Sequence, residues 1–149
     1  MEIKEIKPVK VHYKSFETTL KEIWNYVKNT PDKMYDNLEK YGIEPAGHQI
    51  WCYYGGDGKP DTTFTLEIAI PVQKIVKIDG MQFKELNEFK CASIIHKGSW
   101  ENLKLSYEKL IADINMSGKF LGTVCREIYI NCDFENTENN ITEIQIEIN

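Results

Sequence analysis

Aromatic rings and one carboxylate recur at strand spacing in two parts of this chain, a combination that can bind an organic cation. Glu127 and Tyr129 are two residues apart in an alternating segment, so both side chains should lie on one strand face. Trp51 and Tyr53 have the same spacing in an earlier segment. If the two segments pack together, the four side chains form an aromatic box around a carboxylate, which offers charge pairing and cation–π attraction. The alternative for Glu127 is a solvated strand face.

Trp100 is the fifth candidate ligand-binding residue. It follows a Gly-Ser turn at the start of a predicted helix, so it could fold over the mouth of the box. The alternative is that Trp100 packs in the apolar stripe of that helix, as we expect for Phe16 in the corresponding place of the first half. Glu67 and Glu143 fall on outward alternations of their strands, and we expect both to be solvated.

The sequence predicts no metal, no cofactor and no catalytic constellation. His12, His48 and His96 do not stand at ligand spacing from other metal-binding residues. No Gly-x-Ser-x-Gly segment is present, no cysteine has a recognisable partner, and no pair of carboxylates indicates glycoside chemistry. The glycines of segment 55–58 are typical of a hairpin loop rather than a phosphate cradle, since neither a Lys-Ser/Thr pair nor a helix follows.

The elements that would position these residues occur twice. Segment 12–17 (His-Tyr-Lys-Ser-Phe-Glu) resembles segment 96–101 (His-Lys-Gly-Ser-Trp-Glu) at a spacing of 84, and downstream Trp51 falls on Glu127 at a spacing of 76. The sequence therefore predicts a duplicated β-α-β-β unit with pseudo-twofold symmetry, with half-repeats of approximately 1–80 and 81–149 and a cleft at their seam. An added helix in the first half accounts for the difference in spacing.

The hydrophobic pattern predicts the individual elements. Strands are expected at about 7–14, 48–54, 62–72, 89–96, 124–131 and 141–148. Ser15 should cap a helix with the inward stripe Phe16, Leu20, Ile23, Trp24 and Val27. A second helix should start at Thr30 and end at Gly42, with Met34, Leu38 and Tyr41 inward.

In the second half, Ser99 should cap a helix that ends at Gly118. Its inward residues are Trp100, Leu103, Tyr107, Leu110, Ile111 and Ile114. Residues 73–86 are expected to be a linker between the halves. The predicted fold class is α+β, with helices on one face of a mainly antiparallel sheet and a central ligand cleft.

Composition narrows the function. The chain has 149 residues, enough for one domain with a sizeable core. Its net charge of −5, with lysines scattered among acids, argues against direct binding of nucleic acid. No apolar run approaches the ~18 residues of a membrane span. The four cysteines include no C-x-x-C pair, so we expect reduced thiols and a cytoplasmic protein.

Several short motifs, in order, resemble the gyrase-inhibitor-like (GyrI-like) effector-binding domain, which occurs alone and fused to AraC-type and MerR-type transcription regulators. The resemblance covers nearly the whole chain. It rests on segment 97–100 (Lys-Gly-Ser-Trp), Leu103, segment 107–110 (Tyr-Glu-Lys-Leu), Gly118, Gly122, segment 126–129 (Arg-Glu-Ile-Tyr) and the closing isoleucine-rich strand.

This resemblance implies a tandem β-α-β-β fold and an aromatic cleft with an acidic residue, here Glu127, that meets cationic or amphipathic compounds. Where the family usually has a Gly-x-Tyr turn, this chain has Gly98-Ser99-Trp100, with a larger aromatic residue at the third position. Because the first predicted strand begins within ten residues of the start, we expect the stand-alone form without a helix-turn-helix. The resemblance favours a protein that senses or sequesters a small molecule. Alternatives are a hydrolase of strained or genotoxic compounds that uses Glu127, and a module that binds a protein partner such as a regulator or topoisomerase.

Overall fold

The computed structural model describes all 149 residues. The chain forms one sheet of eight strands and three α-helices. The elements in chain order are β1 (Glu2–Ile6), β2 (Val9–Thr18), α1 (Ile23–Val27), α2 (Thr30–Lys40), β3 (Ile50–Tyr54), β4 (Phe64–Pro71), β5 (Gln82–Leu86), β6 (Phe89–Lys97), α3 (Leu103–Met116), β7 (Leu121–Asn131) and β8 (Ile141–Ile148). The α+β class and the mainly antiparallel sheet are confirmed. None of the helices combines the length and apolar content that crossing a membrane requires.

The sheet has the strand order β1-β6-β8-β7-β3-β4-β2-β5, and all its neighbouring strands are antiparallel. Two-residue links join β1 to β2 and β5 to β6, although each link connects opposite sides of the sheet. Three residue steps span at most roughly 11 Å. The two sides must therefore come close together, and the sheet is strongly curled.

The strand registers confirm the duplication and reveal its symmetry axis. In the outer strands, Lys4 faces Cys91 and Lys84 faces Val11, so positions 80 residues apart are equivalent. In the central strands, the Ile50–Ala69 and Arg126–Gln145 pairs correspond at a spacing of 76. Since Trp51 is both the equivalent of Glu127 and its direct partner in the β3–β7 ladder, the pseudo-twofold axis passes through this pair.

The 84-residue echo near the start of each half is not a structural equivalence. With the observed spacing of 80, His12 corresponds to Ala92 and His96 corresponds to Phe16. The residues that match between segments 12–17 and 96–101 therefore do not occupy equivalent positions along β2 and β6. The duplication itself rests on the strand order and register instead.

The helix predicted after Ser15 is wrong. Ser15 and Phe16 lie inside β2, which pairs with β4 as far as Thr18. The two-residue alternation continues through this segment, and the ladder hydrogen bonds to β4 outweigh the helical spacing of its apolar residues. Only the five residues of α1 are helical, and Leu20 and Trp24 of the predicted stripe are exposed.

The second predicted helix is confirmed as α2, which has Pro31 near its start and buries Met34 and Leu38. Tyr41 is exposed and not part of the inner face. Gly42 follows with a φ of 69°, a left-handed conformation that suits glycine. The predicted linker 73–86 is partly wrong, because its last five residues form β5 at the edge of the sheet.

In the second half, the Oγ of Ser99 accepts a hydrogen bond from the backbone N–H of Glu101, as predicted for a cap. A single 3-10 turn, Trp100–Asn102, precedes α3. Leu110 and Ile114 are buried, as predicted. Gly118 has a φ of 77° and ends this segment. Trp100 therefore lies in a tight turn ahead of the helix.

The helices cover one face of the sheet with two separate apolar clusters. Met34 and Leu38 of α2 pack on β4, and Leu110 and Ile114 of α3 pack on β8. A third cluster, on the opposite face, consists of Val11, Ile50, Cys52, Ala69 and Leu86. The seam between the two helix-side clusters runs along β3 and β7. Four of the five predicted ligand-binding residues lie on these strands: Trp51, Tyr53, Glu127 and Tyr129.

Candidate functional site

Glu127 is the centre of a hydrogen-bonded cluster on the helix face of the sheet. Its Oε1 accepts hydrogen bonds from the hydroxyls of Tyr53 at 3.0 Å and Tyr129 at 2.6 Å. Its Oε2 accepts a hydrogen bond from the hydroxyl of Tyr107 at 2.5 Å. Only 6% of the Glu127 surface is exposed. The carboxylate therefore has donors on both oxygens and almost no contact with solvent.

The fold explains why these four residues meet. Tyr53 lies on β3 beside the Trp51–Glu127 pair on the symmetry axis, and Tyr129 lies on the same face of β7 as Glu127. Tyr107 reaches the carboxylate from α3, which packs above β6, β7 and β8. The sequence predicted Tyr107 only as an inward packing residue. A tyrosine in an otherwise apolar helical stripe was the available signal, since its hydroxyl needs a polar partner in the core.

The negative charge of Glu127 has no cation beside it. The four ion pairs of the protein involve Lys4, Lys84, Lys104 and Lys109, and none includes Glu127. Burying a carboxylate without a counter-ion is costly, and hydrogen bonds offset only part of that cost. The cluster is therefore a buried anionic position on the helix face of the sheet.

The three tyrosines are held as hydrogen-bond donors. Burial raises the pKa of Tyr53, Tyr107 and Tyr129 well above the ordinary value, and the neighbouring charge of Glu127 raises each pKa further. At neutral pH all three hydroxyls keep their protons and stabilise the carboxylate. The site consequently has one net negative charge, which Glu127 supplies.

Three aromatic rings line the side of this cluster. Tyr129 contacts Trp51 and Trp100 edge to face, with ring centroids 5.4 and 6.1 Å apart. The indole N–H of Trp51 donates to Gln49 Oε1 at 2.5 Å, and that of Trp100 donates to Thr142 Oγ1 at 3.1 Å. These bonds orient both indoles. All five predicted binding residues are thus brought together, with Tyr129 in the middle.

A groove of about 430 Å³ opens on the other side of Trp100. Trp24 and Phe134 line it, and they are 62% and 77% exposed. Glu101 and Glu138 add two carboxylates to its walls. The groove thus has aromatic and acidic walls, and the Trp100 ring lies between it and Tyr129.

The predicted solvation of Glu67 and Glu143 is wrong. Both are on the sheet face opposite the helices and are buried or nearly so. Glu67 binds Lys84 Nζ at 2.6 Å, and Glu143 binds Lys4 Nζ at 3.0 Å. The alternation was interpreted correctly as a second face, but the curled sheet encloses that face instead of exposing it.

The histidines occupy separate local settings. His96 contacts the Oγ of Ser106 at 2.7 Å and the backbone oxygen of Ser99 at 2.8 Å, so it ties β6 to the turn before α3. His12 contacts the backbone oxygen of Gln82 at 2.7 Å. No group of three or more His, Cys, Asp or Glu side chains is arranged to hold a metal ion.

Comparisons with known proteins agree with this architecture. The family model described as the GyrI-like small molecule binding domain matches residues 1–149. No match was found among the curated proteins. Among solved structures, the EcmrR C-terminal domain is similar with a TM-score of 0.82 and 22% identity, over 99% of this chain and 96% of that one. In an EcmrR–DNA complex, the chain matches 56% of the EcmrR chain with the same TM-score and identity.

Two more distant structures share the fold. SAV2435 bound to tetraphenylphosphonium has a TM-score of 0.67 and 12% identity, over 99% of this chain and 93% of that one. A hydrolase encoded by lin2189 from Listeria innocua has a TM-score of 0.65 and 10% identity, over 99% and 92% of the two chains. At these identities the likeness concerns the fold alone.

Proposed function

Because this chain belongs to the family of GyrI-like small-molecule-binding domains, we propose that it binds an aromatic organic cation beside Glu127. The binding residues are Glu127 and the rings of Trp51, Tyr53, Trp100 and Tyr129. The protein would sense or sequester such a compound in the cytoplasm. One observation carries the proposal: the buried carboxylate of Glu127 has no cation of the protein within ion-pair distance.

A bound cation would supply the missing positive charge. In a site with little water, a cation near Glu127 gains more Coulomb energy than it would at the surface. The neighbouring aromatic faces add cation–π attraction of about 0.5–2 kcal/mol each. A delocalised cation with aromatic substituents suits the site best, because its weak hydration makes entry less costly than for an ammonium ion.

Entry requires the rings over Glu127 to move. Trp100 and Tyr129 separate the carboxylate from the outer groove. Trp100 has edge contacts with Tyr129 and Phe134 and one neutral hydrogen bond to Thr142. Such a bond contributes only about 1 kcal/mol. Gly98, with a φ of 111°, lies two residues before Trp100 and permits backbone conformations closed to other residues. Rotation of Trp100 would connect the outer groove with the cluster.

Calorimetric titration with tetraphenylphosphonium tests the proposal, since a protein of this fold binds that cation. We expect binding to wild type, and binding at least about 30-fold weaker to Glu127→Gln, because the ion pair is lost. Glu88→Gln removes the same charge from an exposed turn and serves as the matched control. Triphenylmethanol, a neutral aromatic compound, should bind weakly to all three proteins. Equal affinity of the two variants for the cation would refute the proposed site.

A hydrolase is the second candidate, and the fold shared with the Listeria innocua hydrolase is the observation that favours it. Glu127 would then position or deprotonate a water molecule. Both its oxygens already accept tyrosine hydrogen bonds, so at least one of these bonds would have to open first. Mass spectrometry of a bound compound after incubation separates the two functions. A binder returns the compound unchanged, whereas a hydrolase returns it with one water added.

A further inference from the structure

A second cavity, of about 190 Å³, lies between β2 and α2 in the first half of the chain and shares no lining residue with the Glu127 site. We name it the His12 cavity. Its volume is below the roughly 300–1,000 Å³ of pockets for drug-sized ligands. The cavity is therefore suited to a small group. Its lining includes His12, Lys14, Thr30, Lys33, Asn37 and Gly80.

The charge of this lining is positive, in contrast to the protein as a whole. Lys14 and Lys33 contribute two ammonium groups, and no carboxylate lines the cavity. Neither lysine takes part in any of the four ion pairs, whereas the whole chain has a net charge of −5. Asn37 adds an amide that can donate or accept. An anionic group is the ligand that this lining complements.

His12 determines which anion fits. Its Nδ1 lies 2.7 Å from the backbone oxygen of Gln82, and because a carbonyl only accepts, Nδ1 must carry a proton. His12 is 4% exposed, and burial lowers its pKa, so the ring is neutral at pH 7. Nε2 is then a hydrogen-bond acceptor, and no group of the protein donates to it. A ligand must offer a proton to His12 and negative oxygens to the lysines.

We propose that the His12 cavity binds a phosphate group that retains one proton. The P–OH donates to Nε2 of His12, and the other phosphate oxygens accept from the ammonium groups of Lys14 and Lys33. Inorganic phosphate keeps at least one proton at pH 7, whereas a phosphate monoester, whose second pKa is about 6, has mostly lost its proton. Sulfate has the same shape and a similar charge but carries no proton at neutral pH, so bound sulfate would cover Nε2 of His12 without donating to it. Such an unpaired polar group lowers affinity considerably.

Titrations of wild-type protein followed by NMR at pH 7, with inorganic phosphate and with sulfate at matched ionic strength, test this directly. Phosphate should shift the backbone amide signals of Thr30 and Gly80. The imidazole spectrum of His12 should keep an unprotonated Nε2. Sulfate should bind about tenfold more weakly. Equal binding of the two anions, formation of an imidazolium, or no shift with phosphate would each overturn the proposal.

Variants locate the site, and glycerol phosphate tests whether the ligand needs a P–OH group. Lys33 is exposed, so Lys33→Gln should fold normally and weaken phosphate binding about fivefold. Lys59→Gln, also exposed and outside the cavity, should leave it unchanged. Unchanged binding in Lys33→Gln would contradict the site. Glycerol phosphate, which mostly lacks a P–OH at pH 7, should bind more weakly than inorganic phosphate, and tighter binding of glycerol phosphate would contradict the hydrogen bond from P–OH to His12. These results are independent of tetraphenylphosphonium binding at Glu127.

Discussion

Buried carboxylates have different partners on the two faces of this sheet. On the face opposite the helices, Glu67 binds Lys84 and Glu143 binds Lys4. These pairs are related by the pseudo-twofold symmetry, since Glu67 and Glu143 are equivalent and so are Lys4 and Lys84. On the helix face, Glu127 has hydroxyl donors but no cation, and its symmetry equivalent is Trp51.

The presence or absence of a lysine partner indicates what each buried carboxylate can do. An internal ion pair is satisfied as soon as the chain folds, and it offers nothing to a ligand. A buried carboxylate without a counter-ion lowers stability but retains its attraction for a cation from outside. The two ion pairs on the face opposite the helices thus join the two halves. In the proposed function, the replacement of Trp51 by Glu127 at the equivalent position provides the negative charge that a cation would bind.

Removing Lys84, which pairs with Glu67 on the face opposite the helices, should have the largest effect on stability. Lys84→Met leaves Glu67 buried without its partner, and we expect the free energy of unfolding to fall by about 3 kcal/mol. Urea denaturation measures the change. Lys109→Met, which breaks an exposed helical pair with Asp113, should cost only about 0.5 kcal/mol. Equal losses in the two variants would show that the buried pair contributes no more to stability than the exposed pair.

Removing one donor from Glu127 should have a smaller effect. Tyr107→Phe deletes the only hydroxyl on Oε2, and we expect a loss of about 1.5–3 kcal/mol because the acceptor is charged. Denaturation of Tyr26→Phe provides the control, since Tyr26 is an exposed tyrosine. If Tyr107→Phe were as stable as its control, the hydroxyl cluster would not stabilise the buried charge.

Much of the fold could be predicted from local patterns. β8 was predicted with its observed bounds, and the cap at Ser99 and the start of α2 at Thr30 were also correct. The extension of β2 through Phe16 was missed because its apolar spacing also fits a helix, and only pairing with β4 decides between them. Local sequence cannot show which strand will become the neighbour.

The site was only partly predictable for a related reason. The duplication in the sequence made Trp51 the equivalent of Glu127, but their direct pairing depends on the position of the symmetry axis between β3 and β7. The contact of Tyr107 depends on how α3 crosses the sheet, which no local pattern specifies. The burial of Glu67 and Glu143 depends on the curl of the sheet, which results from the two short links between its opposite sides.

Substitution of a ring beside the carboxylate should change binding more than stability. Trp51→Leu keeps an apolar side chain but removes the indole face, and we expect affinity for tetraphenylphosphonium to fall about fivefold, or ~1 kcal/mol. Fluorescence titration or calorimetry measures the change. Phe120→Leu, at an aromatic residue that is 74% exposed, should bind as wild type does. Unchanged affinity in Trp51→Leu would remove that ring from the site.

Acid should slightly reduce the stability that the Glu143–Lys4 pair contributes on the face opposite the helices. Burial alone would raise the pKa of Glu143, but hydrogen bonds from Gln145, Lys4 and Ser93 and the charge of Lys4 outweigh it and lower the pKa. A lowered pKa in the folded state contributes stability above the ordinary glutamate value of 4.5, and that contribution is lost as pH falls through the folded pKa. Urea midpoints between pH 6 and 3 should therefore fall less in Lys4→Met than in wild type. Parallel curves would contradict this role of Lys4.

The unfolding midpoint of wild type and Glu127→Gln, each with and without tetraphenylphosphonium, tests the central claim most directly. A ligand that binds only the folded state raises the midpoint, and 100 times its dissociation constant adds about 2.7 kcal/mol. We predict that the cation stabilises wild type and not Glu127→Gln, and that the variant without ligand is at least as stable as wild type because its buried charge is gone. Equal stabilisation of both proteins by the cation would contradict a receptor built on Glu127.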